Sequence, residues 1–263
     1  MSTFDQVSGQ YHQQALVQQA AAEKLLTLLS IGEKQDVLDV ACGPGHISQR
    51  IKRLTRGRVV GADISAGMIG RARASYPTLE FRNLAAEGLD YHEEFDVVFC
   101  NSSLQWFTAP RKAVAAMRAA LRSGGKIGVS CPATGNWSAC FKDVAAEAGG
   151  HPDLRASFAH WRSPWFYLPD EQSYRNLFEE QGLKTIQCRI EFEEKQYDTE
   201  QAVAVFASGA AQGYTGKEFY RVPIDDDYIR RFNRYARLAM EARARDGKVL
   251  VDFRRLYYVG IKA

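Results

Sequence analysis

Residues 37–50 read VLDVACGPGHISQR, and the order of residue types decides how the chain begins to fold. Val37-Leu38-Asp39-Val40 is short, apolar and β-branched, the mark of a buried strand. Ala-Cys-Gly-Pro-Gly follows and interrupts regular structure. Ile47-Ser48-Gln49-Arg50 then reads as the start of a helix. A strand, a glycine loop and a helix in that order form a turn whose backbone approaches a ligand closely, because Gly43 and Gly45 put no side chain in the way.

Moving outward, strand and helix signals alternate. Residues 14–29 are rich in Ala, Leu, Gln and Glu and predict a helix. Arg58–Ala62 predicts a second strand, 66–74 a helix, Leu79–Phe81 a weak strand and Phe95–Cys100 a strong one. Residues 110–122 predict a helix with Pro110 in its first turn, closed by Ser123-Gly124-Gly125 as a glycine cap. Lys126–Cys131 is the next strand. This alternation predicts an α/β, Rossmann-like, doubly wound and mostly parallel sheet. In such sheets ligands bind beyond the carboxyl ends of the strands, where the opening loop sits.

After Pro132 the texture changes. PATGNWSAC and HWRSPWFYLPD carry Trp137, Trp161 and Trp165. They read either as core or as a cover over a substrate pocket. A helix over 170–181, a strand over 184–192, a helical region over 199–245 and a final strand in KVLVDFRRLYYVGIKA complete the pattern. The expected organisation is an N-terminal helical arm or lid over 1–34, a cofactor-binding core over 35–133, and a C-terminal part over 134–263 that holds a helical cap and the last strands.

Composition narrows the function. At 46% hydrophobic and 25% charged the chain is an ordinary globular one. It has no apolar run of about 18 residues and a polar start, so the expectation is a cytoplasmic protein that does not enter a membrane. A net charge of +3 does not point to nucleic acid. Five cysteines without a CxxC pair argue against a metal site or a disulfide framework. Cys42, Cys100 and Cys131 fall at strand ends and are expected to be buried. Arg230, Arg231, Arg234, Arg237, Arg243 and Arg245 concentrate positive charge late in the chain; they read as a solvated helix face or as a docking surface for an acidic partner.

Two acids border the glycine loop: Asp39 in the first strand and Asp63 after the second, about twenty residues from the loop, where a carboxylate accepts hydrogen bonds from ribose. They suit a nucleoside with a positive amino group better than a phosphate. The loop lacks both the Gly-Lys-Ser/Thr ending of a P-loop and the full GxGxxG spacing.

DVACGPG, GADISAGMIGRAR and FDVVFCNSSLQWF, in that order, resemble the class I S-adenosylmethionine-dependent methyltransferases over about the first 130 residues. The resemblance implies that Asp39, Ala41, Cys42, Gly43 and Gly45 border the methionine part of S-adenosyl-L-methionine. It implies that Asp63 holds the ribose, that Ile64 and Met68 pack near ribose and adenine, and that Asn101 and Ser102 close the pocket floor. Ala41 stands where the family has its first loop glycine. Ala85 stands where an adenine-contacting Asp is common, beside Ala86 and Glu87. The N-terminus and NSSLQWF are similar to malonyl-[acyl-carrier protein] methyltransferases of biotin synthesis, and NSSLQW with the C-terminus is similar to trans-aconitate methyltransferases. Both families methylate a free carboxylate.

The implied acceptor is therefore a small-molecule or acyl-carrier-protein-bound carboxylate. An ionised carboxylate needs no proton removed, so the site needs orientation and dryness rather than a base. Tyr11, Gln105 and Trp106 are the catalytic candidates. Arg254 and Arg255 alternate on a strand; the simplest reading is a surface ion pair, the sharper one a carboxylate clamp. His46 reads as the start of a helix or as a base for an amine or phenol. Two alternatives stay open: a small-molecule O-, N- or C-methyltransferase, and a cofactor-binding protein without catalysis.

Overall fold

The computed structural model describes residues 16–263. Seven strands form one sheet in the order β3-β2-β1-β4-β5-β7-β6. They are β1 (Val37–Val40), β2 (Val59–Asp63), β3 (Glu80–Asn83), β4 (Phe95–Asn101), β5 (Leu121–Pro132), β6 (Leu183–Asp198) and β7 (Lys248–Lys262). The pairs among β3, β2, β1, β4 and β5 are parallel, and β7 lies antiparallel to both of its neighbours. The chain order reverses at β1, which has β2 on one side and β4 on the other. That reversal opens a crevice at the carboxyl ends of β1 and β4.

Alternation along the strands feeds two apolar layers. Leu38, Val98, Cys100, Ile127, Leu256 and Tyr258 face α4 (Pro110–Ala120) and α7 (Glu171–Glu179). Val37, Val97, Phe99, Tyr257 and Val259 face α1 (Leu16–Leu29) and α2 (His46–Lys52). The other helix on the sheet, α3 (Ala66–Ser75), packs through Ile69 and Ala72 onto Phe81. Cys42, Cys100 and Cys131 are buried as expected.

A third cluster forms the cap. It joins α5 (Ala139–Gly150), α6 (Arg155–Phe158), α8 (Thr199–Ser208), α9 (Ala210–Thr215) and α10 (Asp226–Ala242) to Val249, Val251 and Phe253 of β7. One side of β7 thus changes neighbours along its length. Residues 249, 251 and 253 meet the cap, and 257 and 259 meet the layer under α1. Arg255 sits at the seam between them.

Two boundaries differ from the sequence reading. Helix α4 ends at Ala120, and Leu121 is already extended and pairs with Phe95. The glycines do not cap it; Gly124, at φ +77, lies in the irregular stretch before Lys126 pairs with Val97. Strand β6 runs on to Asp198 because β7 offers it partners as far as Lys248.

The basic stretch is largely satisfied within the chain. Arg230 and Arg231 pair with Asp227, Arg237 with Glu200 and Glu241, and Arg243 with Glu147. No helix of the described residues is long and apolar enough to cross a membrane.

Candidate functional site

A cleft of about 1460 Å³, its open mouth included, lies over the carboxyl ends of β1, β2 and β4 and under the cap. Of the expected residues, Ala41, Gly43, Asp63, Ile64, Met68, Ala85, Ala86, Glu87, Ser102, Gln105 and Trp106 line it. Asp39, Cys42, Gly45 and Asn101 do not: they form the layer beneath or behind the wall. Tyr11 lies outside the described residues. His46 opens α2 away from the cleft wall.

The loop owes its shape to left-handed backbone at Ala41 (φ +59), Gly43 (φ +55) and Gly45 (φ +85). The two glycines serve different ends. A Cβ on Gly45 would stand 2.7 Å from the Phe81 ring, whereas one on Gly43 would meet nothing within 4 Å. Gly45→Ala should therefore lower unfolding free energy by about 2–3 kcal/mol, from backbone strain plus overpacking. Gly43→Ala should lose only the backbone part, about 1 kcal/mol, and reduce ligand affinity because its methyl stands in the open cleft. Urea denaturation and calorimetry of the two variants separate these effects.

Asp63 holds the loop. Its Oδ2 accepts from Gly43 N at 2.9 Å and its Oδ1 from Ser65 N at 2.8 Å, and its side chain belongs to the cleft wall. Beside it Ile64 is 69% exposed, an apolar side chain standing in the cleft wall. Asn83 donates to the carbonyls of Asp63 and Ile64 and fixes this corner. Glu87 accepts from Thr108 N at 3.0 Å and Ala109 N at 3.2 Å, at the start of α4.

Asp39 is almost fully buried and accepts from Ser48 Oγ at 2.6 Å. Burial pushes its carboxyl up to about 7, against the hydrogen bond from Ser48, and the neighbouring Asp63 pushes the same way. Its ordinary value is 3.8. The folded state therefore binds this proton more tightly, and the stability this group contributes falls as pH rises from about 4 to about 7. Asp39→Asn should remove that slope. The test is the difference between wild-type and variant urea midpoints, which should widen in the variant's favour between pH 5 and pH 8.

At the far end of the cleft lies one of the two arginines that the sequence reading left between a surface ion pair and a group reaching substrate. Arg255 is 9% exposed, and its guanidinium faces the cleft without a carboxylate partner among the described residues. Nη1 donates to Ser102 Oγ at 2.9 Å and to Ser130 Oγ at 3.4 Å. Burial pulls its proton affinity below the ordinary arginine value, opposed by Tyr257, Cys131 and Glu193. The surface-ion-pair reading fits its neighbour instead. Arg254 pairs with Asp252 at 3.2 Å, donates to Asn136 O and lies over the Phe192 ring. The only available signal was the two-residue alternation. The hydroxyls that hold Arg255 come from the ends of β4 and β5, more than a hundred residues away.

The cap side is aromatic. Trp106 meets Trp165 edge to face at 5.7 Å, and Trp165 meets Trp137 at 6.2 Å. These three line the cleft; Trp161 packs behind them, its Nε1 donating to Gly213 O at 2.8 Å. Both readings hold at once for Trp137 and Trp165, which belong to the cap core and line the cleft, whereas Trp161 is core alone. Gln105 is buried, and its Nε2 donates to Ser102 O while its Oε1 has no hydrogen-bond partner among the described residues.

The corner at Asp63 and Ile64 sets a carboxylate beside an exposed apolar side chain in the cleft wall, a pairing of the kind a nucleoside uses. Residues 37–125 match the methyltransferase domain family. The malonyl-[acyl-carrier protein] O-methyltransferase of Salmonella typhimurium is 32% identical over 127 residues, 48% of this chain and 50% of that one. Trans-aconitate 2-methyltransferase of Enterobacter sp. is 25% identical over 244 residues, 90% of each chain. At the higher identity the chain spans about half the length of the curated relatives it matches. Geranyl diphosphate C-methyltransferase of Streptomyces coelicolor, solved with S-adenosyl-L-homocysteine, shares the fold with a TM-score of 0.55 at 12% identity, over 93% of this chain and 80% of that one. Residues 37–125 therefore match a methyltransferase domain, in a chain whose fold is shared with solved methyltransferases.

Proposed function

We propose that the protein transfers a methyl group from S-adenosyl-L-methionine to a free carboxylate, forming a methyl ester. The observation that carries this reading is Arg255, a buried guanidinium at the cleft wall that lacks a carboxylate partner among the described residues. A buried cation left unpaired is costly, and a planar carboxylate is the ligand that a guanidinium fork matches.

The chain divides accordingly. Residues 35–133 hold the cofactor and 134–263 supply the acceptor cap. Residues 1–34 reach the cofactor, a reading supported by Val17 and Gln18 of α1 in the cleft wall. In the cofactor half, Asp63 accepts the ribose hydroxyls, while Ile64 and Met68 flank the adenosine. The Ala41–Gly45 loop, with Asp39 and Cys42 beneath it, bounds the methionine part. Ala85, Ala86 and Glu87 border the base, and Asn101 and Ser102 form the floor. Gln105, Trp106 and Tyr11 orient the acceptor and exclude water.

Bound S-adenosyl-L-methionine supplies a methyl group on a sulfonium, which a carboxylate oxygen takes as the carbon–sulfur bond breaks, the electron pair staying on sulfur and no proton moving. The lining suits a reaction without a base. Among the described residues its acids are Asp63 and Glu87, both engaged with backbone N–H groups, and no histidine or lysine lines it. Alignment alone supplies roughly 7–11 kcal/mol of such a barrier.

The test is incubation with methyl-labelled cofactor and a panel of carboxylic acids, amines and phenols, followed by mild alkali. A methyl ester releases its label as methanol. Base-labile label on an acid is the expected result; label only on amines, phenols or carbon would refute the reading.

A further inference from the structure

We infer that the acceptor is a monocarboxylate carried on an apolar body, rather than a polycarboxylate or a malonyl group on a carrier protein. This rests on the carboxylate reading above and narrows it.

The charge of the lining sets the number of carboxylates. Two cations line the cleft among the described residues, Arg254 and Arg255. Arg254 is neutralised by Asp252, whose carboxylate also accepts from Ala139 N and Cys140 N at 2.9 Å each. One guanidinium remains: its Nη1 donates to two serines, no ion pair within 4 Å holds it among the described residues, and Glu193 acts on it only at longer range. Residues 1–15 contain no lysine or arginine, so that segment brings no further fixed cation. A second or third carboxylate would meet no further lysine or arginine among the described residues of the lining.

The shape and chemistry of the wall set the body. Next to Arg255 the cleft is bounded by Trp106, Trp137, Trp165, Phe141, Val205 and Phe253. The indoles of Trp106, Trp165 and Trp137 form a continuous edge-to-face chain. Such a wall favours an aromatic ring or an alkyl chain and penalises a further ionised group that it cannot hydrogen-bond. The acids Asp63 and Glu87 lie in the same lining and repel extra anions.

The late basic stretch offers an acidic carrier protein a reduced positive field. Arg230, Arg231, Arg237 and Arg243 are already paired within the chain, and only Arg234 and Arg245 of that stretch have no ion pair within 4 Å among the described residues. Docking of an acidic partner draws on an unpaired positive field.

The experiment compares kcat/KM of the full chain for phenylacetate and indole-3-acetate, for octanoate and decanoate, for trans-aconitate and citrate, and for malonyl-CoA and malonyl-acyl-carrier protein, by mass spectrometry of methyl esters. An aryl or alkyl monocarboxylate should exceed every polycarboxylate and malonyl thioester by about 10²-fold. The aryl and alkyl arms decide which body it carries. Trp165→Ala should raise kcat/KM for the bulkier member of the preferred arm relative to the smaller one. Preference for trans-aconitate or a malonyl thioester would overturn this inference and leave carboxyl methylation intact. Methyl transfer to no carboxylate, with cofactor bound by calorimetry, would overturn both.

Discussion

Replacing Arg255 by glutamine is expected to lower kcat/KM for the carboxylate acceptor by about 10²- to 10³-fold, or about 3–4 kcal/mol, because it removes one partner of a buried, hydrogen-bonded charge pair. Cofactor affinity should be unchanged, since Asp63, Ile64 and the glycine loop are held by other contacts. The loss should appear mainly in the acceptor KM, as uniform binding energy does when chemistry is slow. Arg255→Lys should retain charge and recover only part of the loss, because an ammonium cannot reproduce the planar two-point contact. Glutamine also removes a desolvated charge, so the fold should tolerate it; unchanged urea midpoints would show that the kinetic loss is local. Equal turnover by wild type and Arg255→Gln would remove the clamp from the account.

The second large effect is at Asp63. Asp63→Ala should weaken S-adenosyl-L-methionine binding by about 30- to 100-fold by calorimetry, as the charged acceptor at this corner of the cleft disappears. The same change frees Gly43 N and Ser65 N, which Asp63 now satisfies. Asp63→Asn separates the two roles. It keeps one acceptor oxygen for the loop and should restore stability more fully than affinity. Full affinity in Asp63→Ala would place the nucleoside elsewhere.

The fold was legible where the determining interactions are local. The stretch from Val37 to Arg50 carries its strand, its left-handed loop and its helix start in consecutive residues, and the structure follows it. The reading slipped where a distant strand competes with a local preference. Ser123-Gly124-Gly125 looks like a helix cap, yet Leu121 leaves the helix to pair with Phe95. Residues 193–198 are charged and look like a loop, yet β7 pairs with them as an edge strand. The corner of the cleft at Asp63 and Ile64 was legible because the two residues stand where β2 ends. Arg255 was not. Alternation states that one of two arginines is covered; only the meeting of cap and α1 layer at residue 255, and two hydroxyls from β4 and β5, make it a buried cation facing a cleft.

The most direct test is a crystal structure of the protein with S-adenosyl-L-homocysteine and a carboxylate acceptor. The account predicts ribose hydroxyls on Asp63, the adenosine against Ile64, and the acceptor carboxylate at about 2.7–2.9 Å from the Arg255 guanidinium. A carboxylate held elsewhere, with Arg255 still bonded only to Ser102 and Ser130, would contradict it.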